Sequence, residues 1–268
     1  MKHFTSLRLA TAPRGPHERS AHCDTDVVRL ALLTSRTGAM SLLAGVAAFK
    51  GFDPADLARV EAKSRVIEPR DGAPIFAQGD AADAVYAIIA GEGHVRIGAM
   101  SRSSKGLMIE VFNLGEIFGE IGVLDGSART ADAVAAGRLR LLRIDSHTFL
   151  EALNHHAVLG ANLCRLLADR LRRTFDLLQD TTFESLEVRL ARQVLYLSRR
   201  GSRRTAQGLQ LSGRFRQSDL ADLLGATTRS IITILNAWRA TGLVVYDPVR
   251  AQLTLCREQE LQALISDA

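Results

Sequence analysis

The chain has 268 residues, a hydrophobic fraction of 47% and a formal net charge of +5. That is enough chain for one large folded domain or two modest ones, and with no run of eighteen apolar residues it offers no membrane span. Three scattered cysteines, Cys23, Cys164 and Cys256, exclude a disulfide framework and a clustered thiolate metal centre.

The first 40 residues carry no periodic pattern. Pro13, Gly15 and Pro16 interrupt them, and His3, His17 and His22 share no ligand spacing. The basic start lacks the apolar core and cleavage pattern of a signal peptide, so a cytoplasmic location is expected. Residues 1–40 read as a disordered extension or an overlong start, with Met40 an alternative first residue. Ser41–Phe49 is Ala-rich and predicts a short helix. Asp53 as N-cap, Pro54 at the first helical position and Asp56 three after the cap predict a second helix over Pro54–Ala62.

From Ser64 to Ile144 the texture changes. Short runs rich in Val and Ile alternate with Gly and Asp. They fall at Arg65–Glu68, Ala73–Phe76, Val85–Ala90, Gly93–Gly98, Gly106–Val111, Ile117, Asp132–Ala135 and Arg138–Ile144. Many short strands at this spacing predict a β-barrel or sandwich. The polar segment Ser101–Lys105 predicts an exposed loop.

Within this region Leu114–Val134 is dense in chemistry. It holds Gly115, Gly119, Gly122 and Gly126, with Glu120, then Arg129 and Thr130. Two glycines across Gly119–Gly122 give away about 1 kcal/mol each in a helix, which argues against a regular one. They free backbone N–H groups to converge on an anion, and Arg129 can pair bidentately with a phosphate. Glu120 would repel a phosphate but can accept a hydroxyl such as a ribose 2′-OH. One phosphate and one free ribose hydroxyl describe a cyclic nucleotide. By spacing alone, a surface turn with an incidental salt bridge fits equally well.

Ser146 can cap a short helix running to about Asn154, and a longer helix is predicted over Val158–Asp180. In it Cys164, Leu167, Leu171, Thr174, Leu178 and Thr181 recur at spacings of three and four, the a/d seam of a coiled coil. The flanking Asp169, Arg170, Arg172, Arg173 and Asp176 leave a narrow apolar stripe, which favours a dimer seam over packing within the chain. Phe183–Arg199 predicts another helix. Gly201–Gln207 reads as a polar loop, and Leu209 and Leu211 as a short strand. Arg216–Leu223, a turn at Gly225 and a second helix from Thr227 to Ala240 read as helix-turn-helix. Ile231, Ile234, Leu235 and Trp238 form the inward face of its second helix. Val244–Val245 and Gln252–Leu255 suggest a β-hairpin wing. Charge is uneven: Lys/Arg against Asp/Glu is six to three in residues 1–37, 16 to 18 in 38–180 and 12 to eight in 181–268. A basic final third fits a nucleic-acid reader.

The Leu114–Val134 stretch resembles the phosphate-binding cassette of cyclic nucleotide-binding domains. From about Phe49 onward the chain is similar to bacterial Crp/Fnr-type transcription regulators. Phe76-Ala77-Gln78-Gly79-Asp80 resembles the entry signature of the β-roll, and Tyr86–Gly93 its central hairpin. The resemblance implies an α+β protein with a double-stranded β-helix or jelly-roll sensor, a long dimerisation helix and a winged helix-turn-helix. It divides the chain into a sensor over 41–155, a dimerisation helix over 156–181 with seam residues Cys164, Leu167, Leu171, Thr174 and Leu178, and a DNA-binding domain over 182–268. It assigns the effector site to Gly119, Glu120, Ile121, Gly122, Arg129 and Thr130, with Glu120 on the ribose 2′-OH and Arg129 on the phosphate. It assigns DNA contact to Gln217, Thr227, Thr228, Arg229, Ser230 and Thr233.

The chain departs from the family pattern twice. Cyclic AMP-responding members carry a Thr-Ser pair facing the adenine, and here those positions are Thr174 and Phe175. Phe175 offers no hydroxyl, so the base is undecided, with cyclic AMP expected ahead of cyclic GMP. The usual Ser-Arg-Glu-Thr-Val opening of the reader helix is Thr227-Thr228-Arg229-Ser230-Ile231, and Thr233 replaces a later arginine. Both usual arginines are missing, and Arg229 stands where a glutamate reads cytosine, which implies an altered DNA target. The scattered cysteines speak against the iron–sulfur branch, and lone His94 makes no haem or metal site. No catalytic constellation is found. Expected partners are promoter DNA, a second copy and, in the family, RNA polymerase. Two alternatives remain: a constitutive regulator or one answering a non-nucleotide signal, and a module acting through protein partners without DNA.

Overall fold

A computed structural model of the chain describes residues 41–99 and 107–266. The expectations for residues 1–40 and for the Ser101–Lys105 loop lie outside the described residues. A turn and a 3-10 helix at Ala47–Phe49 replace the helix predicted over Ser41–Phe49. Helix α1 (Pro54–Ala62) has the predicted bounds; Asp53 stands at its N-cap but its side chain makes no capping hydrogen bond.

Eight strands follow: β1 (Ser64–Ile67), β2 (Pro74–Phe76), β3 (Ala84–Gly91), β4 (His94–Ala99), β5 (Leu107–Phe112), β6 (Ile117–Phe118), β7 (Asp132–Ala136) and β8 (Leu139–Asp145). They form two antiparallel four-stranded sheets, ordered β1-β8-β3-β6 and β2-β7-β4-β5. β3 is apolar throughout because both of its faces are covered. Ala84, Tyr86 and Ile88 point between the sheets with Phe112, Phe118 and Leu141. Val85 and Ala87 point outward, with Leu142 and Ile144, onto Phe49, Phe149, Leu159 and Leu163.

Between β6 and β7 lies the short helix α2 (Glu120–Asp125), where no regular helix was expected. Its glycines are used for packing. Gly119 turns into it at φ +78°, and a Cβ on Gly122 would stand 2.8 Å from both Ala82 Cβ and Ser127 O. Helix α3 (Ser146–His155) is preceded by Asp145 at the N-cap, so Ser146 is its first residue and not its cap. Helix α4 (Ala157–Phe183) has 27 residues, about 40 Å by helical rise. Glu184 is extended, Ser185 accepts a hydrogen bond from Val188 N, and a separate helix α5 (Leu186–Arg200) begins.

The C-terminal part is built on α5, α6 (Gln217–Leu224), α7 (Thr228–Ala240) and α8 (Glu258–Ser266), with a sheet ordered β11-β12-β10-β9. Its strands are β9 (Ser202–Thr205), β10 (Gly208–Leu211), β11 (Val244–Asp247) and β12 (Gln252–Leu255). β9 occupies the segment read as a polar loop; its side chains are polar, and its pairing with β10 supplies the order. The core joins Leu190, Val194, Leu220, Ile231, Leu235 and Trp238. It also takes in Met108 and Val111 from β5, so the C-terminal part packs directly on the outer face of the second sheet.

Candidate functional sites

The first site lies where α2 begins. Gly119 brings the chain close: a Cβ there would meet Arg129 Nη1 at 2.8 Å and Phe76 at 3.2 Å. Arg129 is buried. Its Nη1 donates to Gly119 O at 2.6 Å and its Nη2 to Ala84 O at 2.8 Å, with Asp83 at 3.4 Å. Its guanidinium lies 4.3 Å from the centre of the Phe76 ring, a cation–π arrangement. Burial lowers its pKa from the ordinary value, while Tyr86 and Asp83 act in the opposite sense. Arg129 Nε has no partner among the described residues.

Glu120 is 1% exposed. Its Oε1 accepts from Arg170 Nη1 of α4 at 2.5 Å, and its Oε2 has no partner among the described residues. Arg170 also donates to Ile117 O at 2.7 Å and lies over Phe112, 4.5 Å from the ring centre. In the sequence Arg170 stands out only as a charge flanking the seam. Its position beside the stripe, three residues after Leu167 and four before Thr174, is the available signal. Gly122 is buried within α2, while Ile121 is 44% exposed and Thr130 is exposed. The first turn of α2 carries N–H groups that the helix itself leaves unused.

Thr174 stands one turn beyond Arg170, its hydroxyl donating to Arg170 O at 3.0 Å, and is exposed. Phe175 is 56% exposed. On the seam, Leu167 is half-buried and Cys164 exposed, while Leu171 and Leu178 are 56% and 60% exposed.

The second site is the outer face of α7. Thr227 is its N-cap and accepts from Ser230 N at 3.2 Å. Thr228, Arg229 and Thr233 are exposed, Ser230 is half-buried, and Thr233 Oγ1 donates back to Arg229 O at 3.0 Å. Asn236 and Arg239, which sequence reasoning did not single out, extend the exposed face by a further turn. Ile231, Leu235 and Trp238 are buried on the other side, with Ile234 partly buried against the same core. Trp238 Nε1 donates to Glu187 of α5 at 2.8 Å, which fixes the rotation of α7. Gln217 opens α6 and is half-buried.

Among the described residues no three His, Cys, Asp or Glu side chains converge as a metal site, and no helix is long and apolar enough to cross a membrane. His94 is buried against Phe215.

Residues 67–156 match the cyclic nucleotide-binding domain and residues 188–264 the Crp-like helix-turn-helix domain. The chain is 32% identical over 177 residues to the cyclic AMP receptor protein of Thermus thermophilus, covering 66% of this chain and 78% of that one. It is 27% identical over 190 residues to the CRP-like cAMP-activated global transcriptional regulator of Mycobacterium tuberculosis, covering 71% and 84%. The fold superimposes on FixK2 from Bradyrhizobium japonicum with a TM-score of 0.65 at 20% identity, covering 75% of this chain and 96% of that one. It also superimposes on the c-di-GMP responsive global regulator CLP of Xanthomonas campestris with a TM-score of 0.62 at 23% identity, covering 76% and 100%.

Proposed function

The chain belongs to the Crp/Fnr family of transcription regulators, and from that premise we propose that its promoter binding is set by a cyclic nucleotide, cyclic AMP ahead of cyclic GMP. The observation that carries this reading is the pair Glu120 and Arg129. Both are buried, and each keeps one polar atom without a partner among the described residues, Oε2 and Nε respectively. A buried polar atom left unsatisfied costs about 1–3 kcal/mol. A ribose hydroxyl on Glu120 and a phosphate oxygen on Arg129 would remove both costs. Cyclic AMP stands first because the two curated relatives above are named for it.

The residues divide as the family pattern implies. Residues 41–155 sense, 156–181 dimerise and 182–268 read DNA. Thr174, one turn from Arg170, faces the base, and Phe175 covers it or stacks on it. Cys164, Leu167, Leu171 and Leu178 meet their counterparts in a second copy. Gln217, Thr227, Thr228, Arg229, Ser230 and Thr233 face DNA, with Arg229 able to donate to guanine O6 and N7. Effector binding shifts the population of dimers toward one in which two α7 helices stand about 34 Å apart, one turn of DNA. DNA selection from random sequence tests the altered reader; recovery of the standard family half-site would remove the role given to Arg229.

A second reading has its own support. Tyr86 stacks on Phe118 at 5.3 Å, Phe76 lies against both, and Arg129 is laid on Phe76. The roll interior is thus filled by its own side chains, as suits a constitutive regulator or one answering another signal. Calorimetric titration with cyclic AMP and then cyclic GMP separates the readings. Micromolar binding of one nucleotide, weakened at least about a hundredfold in Arg129→Ala, is expected, since a charge-assisted bidentate pair and its desolvated site are lost together. Failure of both nucleotides to bind the wild type would leave the second reading standing.

A further inference from the structure

The reader is joined to the sensor by more than the chain at Glu184–Ser185. The first helix of its helix-turn-helix, α6, packs on β5, where Met108 and Val111 are 7% and 0% exposed. Two polar clusters hold this interface. At one end Arg96 of β4 donates to Asp219 of α6 at 2.9 Å. Beside it His94 is 1% exposed and stacked on Phe215, ring centres 5.0 Å apart. Asp219 has a second duty, since its other oxygen accepts from Arg216 N at 2.8 Å and so caps α6. At the other end Glu110 of β5 accepts from Arg200 of α5 at 2.7 Å and faces Arg173 of α4 at 3.5 Å. Arg200 also pairs with Glu116, and Arg173 lies flat on Tyr196, 3.2 Å from the ring centre.

These groups are removed from water, and their pKa values register it. Burial, then Glu110, pushes the Tyr196 hydroxyl up to about 12. Burial opposes the charge on Arg200, yet Glu116 and Glu110 more than offset it and raise its pKa above the ordinary value. Removing one partner from such a cluster leaves a desolvated charge behind, so the cluster is a discrete contact that is either made or broken.

Helix α4 connects this contact to the sensor pocket. Arg170 holds Glu120, and Arg173, three residues on and therefore on the same face, faces Glu110 at 3.5 Å, lies over Tyr196 and donates to Gln193 of α5 at 2.5 Å. One rigid helix thus has one arginine in the pocket and one in the interdomain cluster. We propose that the Arg96–Asp219 pair and the Glu110 cluster form an autoinhibitory latch that docks the reader on β4 and β5, and that release of Arg170 from Glu120 opens it through Arg173. The identity of the releasing ligand rests on the effector reading above; the latch itself does not. A ribose hydroxyl that takes Glu120 competes with Arg170. Any rotation of α4 that follows withdraws Arg173 from Glu110, and the undocked reader is free to adopt the spacing that DNA requires.

The test is DNA binding without nucleotide. Arg96→Glu sets two carboxylates against each other at Asp219, and Glu110→Gln removes the charge that holds Arg173 and Arg200. Neither residue belongs to the pocket or to the outer face of α7. The duplex is one selected from a random library by the full-length wild type with saturating cyclic AMP and, in parallel, by full-length Arg96→Glu without it. Each variant is expected to bind that duplex at least tenfold more tightly than nucleotide-free wild type. Faster amide exchange in β5 and an unchanged circular dichroism spectrum are expected with it. By linkage, Arg96→Glu should also bind cyclic AMP more tightly than wild type does. Unchanged or weaker DNA binding by both folded variants overturns the latch. A gain in both variants alongside a wild type that ignores every cyclic nucleotide supports the latch and removes the nucleotide reading, so the two failures are told apart.

Discussion

The pocket and the reading surface handle charge in opposite ways. In the pocket, Glu120 and Arg129 are buried and already answered from within, by Arg170 and by the carbonyls of Gly119 and Ala84. On α7, Arg229 is exposed, and the neighbouring hydroxyls of Thr227 and Thr233 serve the helix itself as cap and back-bond. On the proposed reading, a hydroxyl reaching Glu120 would displace Arg170, and its binding energy would be available to move α4, the helix that carries Arg170. DNA meeting α7 displaces only water and ions, and gains affinity without rearranging the reader. On the proposed function, one surface would convert binding into motion and the other position into affinity.

The largest way to break this contrast is Arg170→Ala. It leaves the buried Glu120 carboxylate unpaired, which costs about 3–5 kcal/mol when one partner of a buried ion pair is removed. Denaturant unfolding of the sensor should show that loss. The double variant Arg170→Ala/Glu120→Gln should recover most of it, because the stranded charge is gone. If the single variant melts like wild type, Glu120 is not held in the way the geometry implies.

How much of this was written in the sequence differs between the two surfaces for the same reason. The strands of the roll, both helices of the helix-turn-helix and the wing are local patterns, and they fall within a residue or two of expectation. Thr227, Arg229 and Thr233 were assigned to the reading face by the Crp/Fnr resemblance, and they fall at the N-cap and on the exposed side of α7. The Crp/Fnr resemblance rested on contiguous motifs and holds. What escaped depends on distant partners. Helix α2 has Gly119 at its N-cap and Gly122 in its first turn, where a side chain at Gly122 would collide with Ala82 and Ser127, and propensity does not report that. Arg170 meets Glu120 across 50 positions, and Arg96 meets Asp219 across 123. The β9 strand looked like a loop because its order comes from β10 and not from its own apolarity. Helix α8 was not anticipated; its Leu261 is buried among the α5 residues of the reader core.

A smaller effect sharpens the other side of the contrast. Arg229→Ala should cost about 1–3 kcal/mol on the selected duplex if Arg229 reads a base, and should relax preference at one base pair of each half-site. If it holds a phosphate, the loss is uniform across sequences and the salt dependence of binding falls by about one counterion for each lost contact. Repeating the selection with the variant, at two salt concentrations, separates these outcomes. A variant that keeps both affinity and preference would place the reading elsewhere on α7, at Asn236 or Arg239.

The smallest effect tests whether the docked reader belongs with the pocket in this division, as a buried arrangement that resists charge. His94 sits inside the dock, and burial together with Arg96 brings its pKa down from 6.5 to about 4, with Asp71 acting the other way. The sign follows from the depressed value. Neutral His94 favours the docked state, and its contribution is complete above the ordinary pKa. It is lost progressively as pH falls from 6.5 toward 4, because the undocked histidine takes up a proton first. Between pH 7 and pH 5.5 the docked population should fall by about eightfold relative to the undocked one. Nucleotide-free DNA binding should therefore tighten over that interval by up to the same factor, and His94→Phe, which keeps the stacking on Phe215 and cannot titrate, should flatten the profile. A wild-type profile as flat as the variant's would mean that His94 remains equally buried when the reader moves, and that the hinge lies between β4 and the rest of the roll.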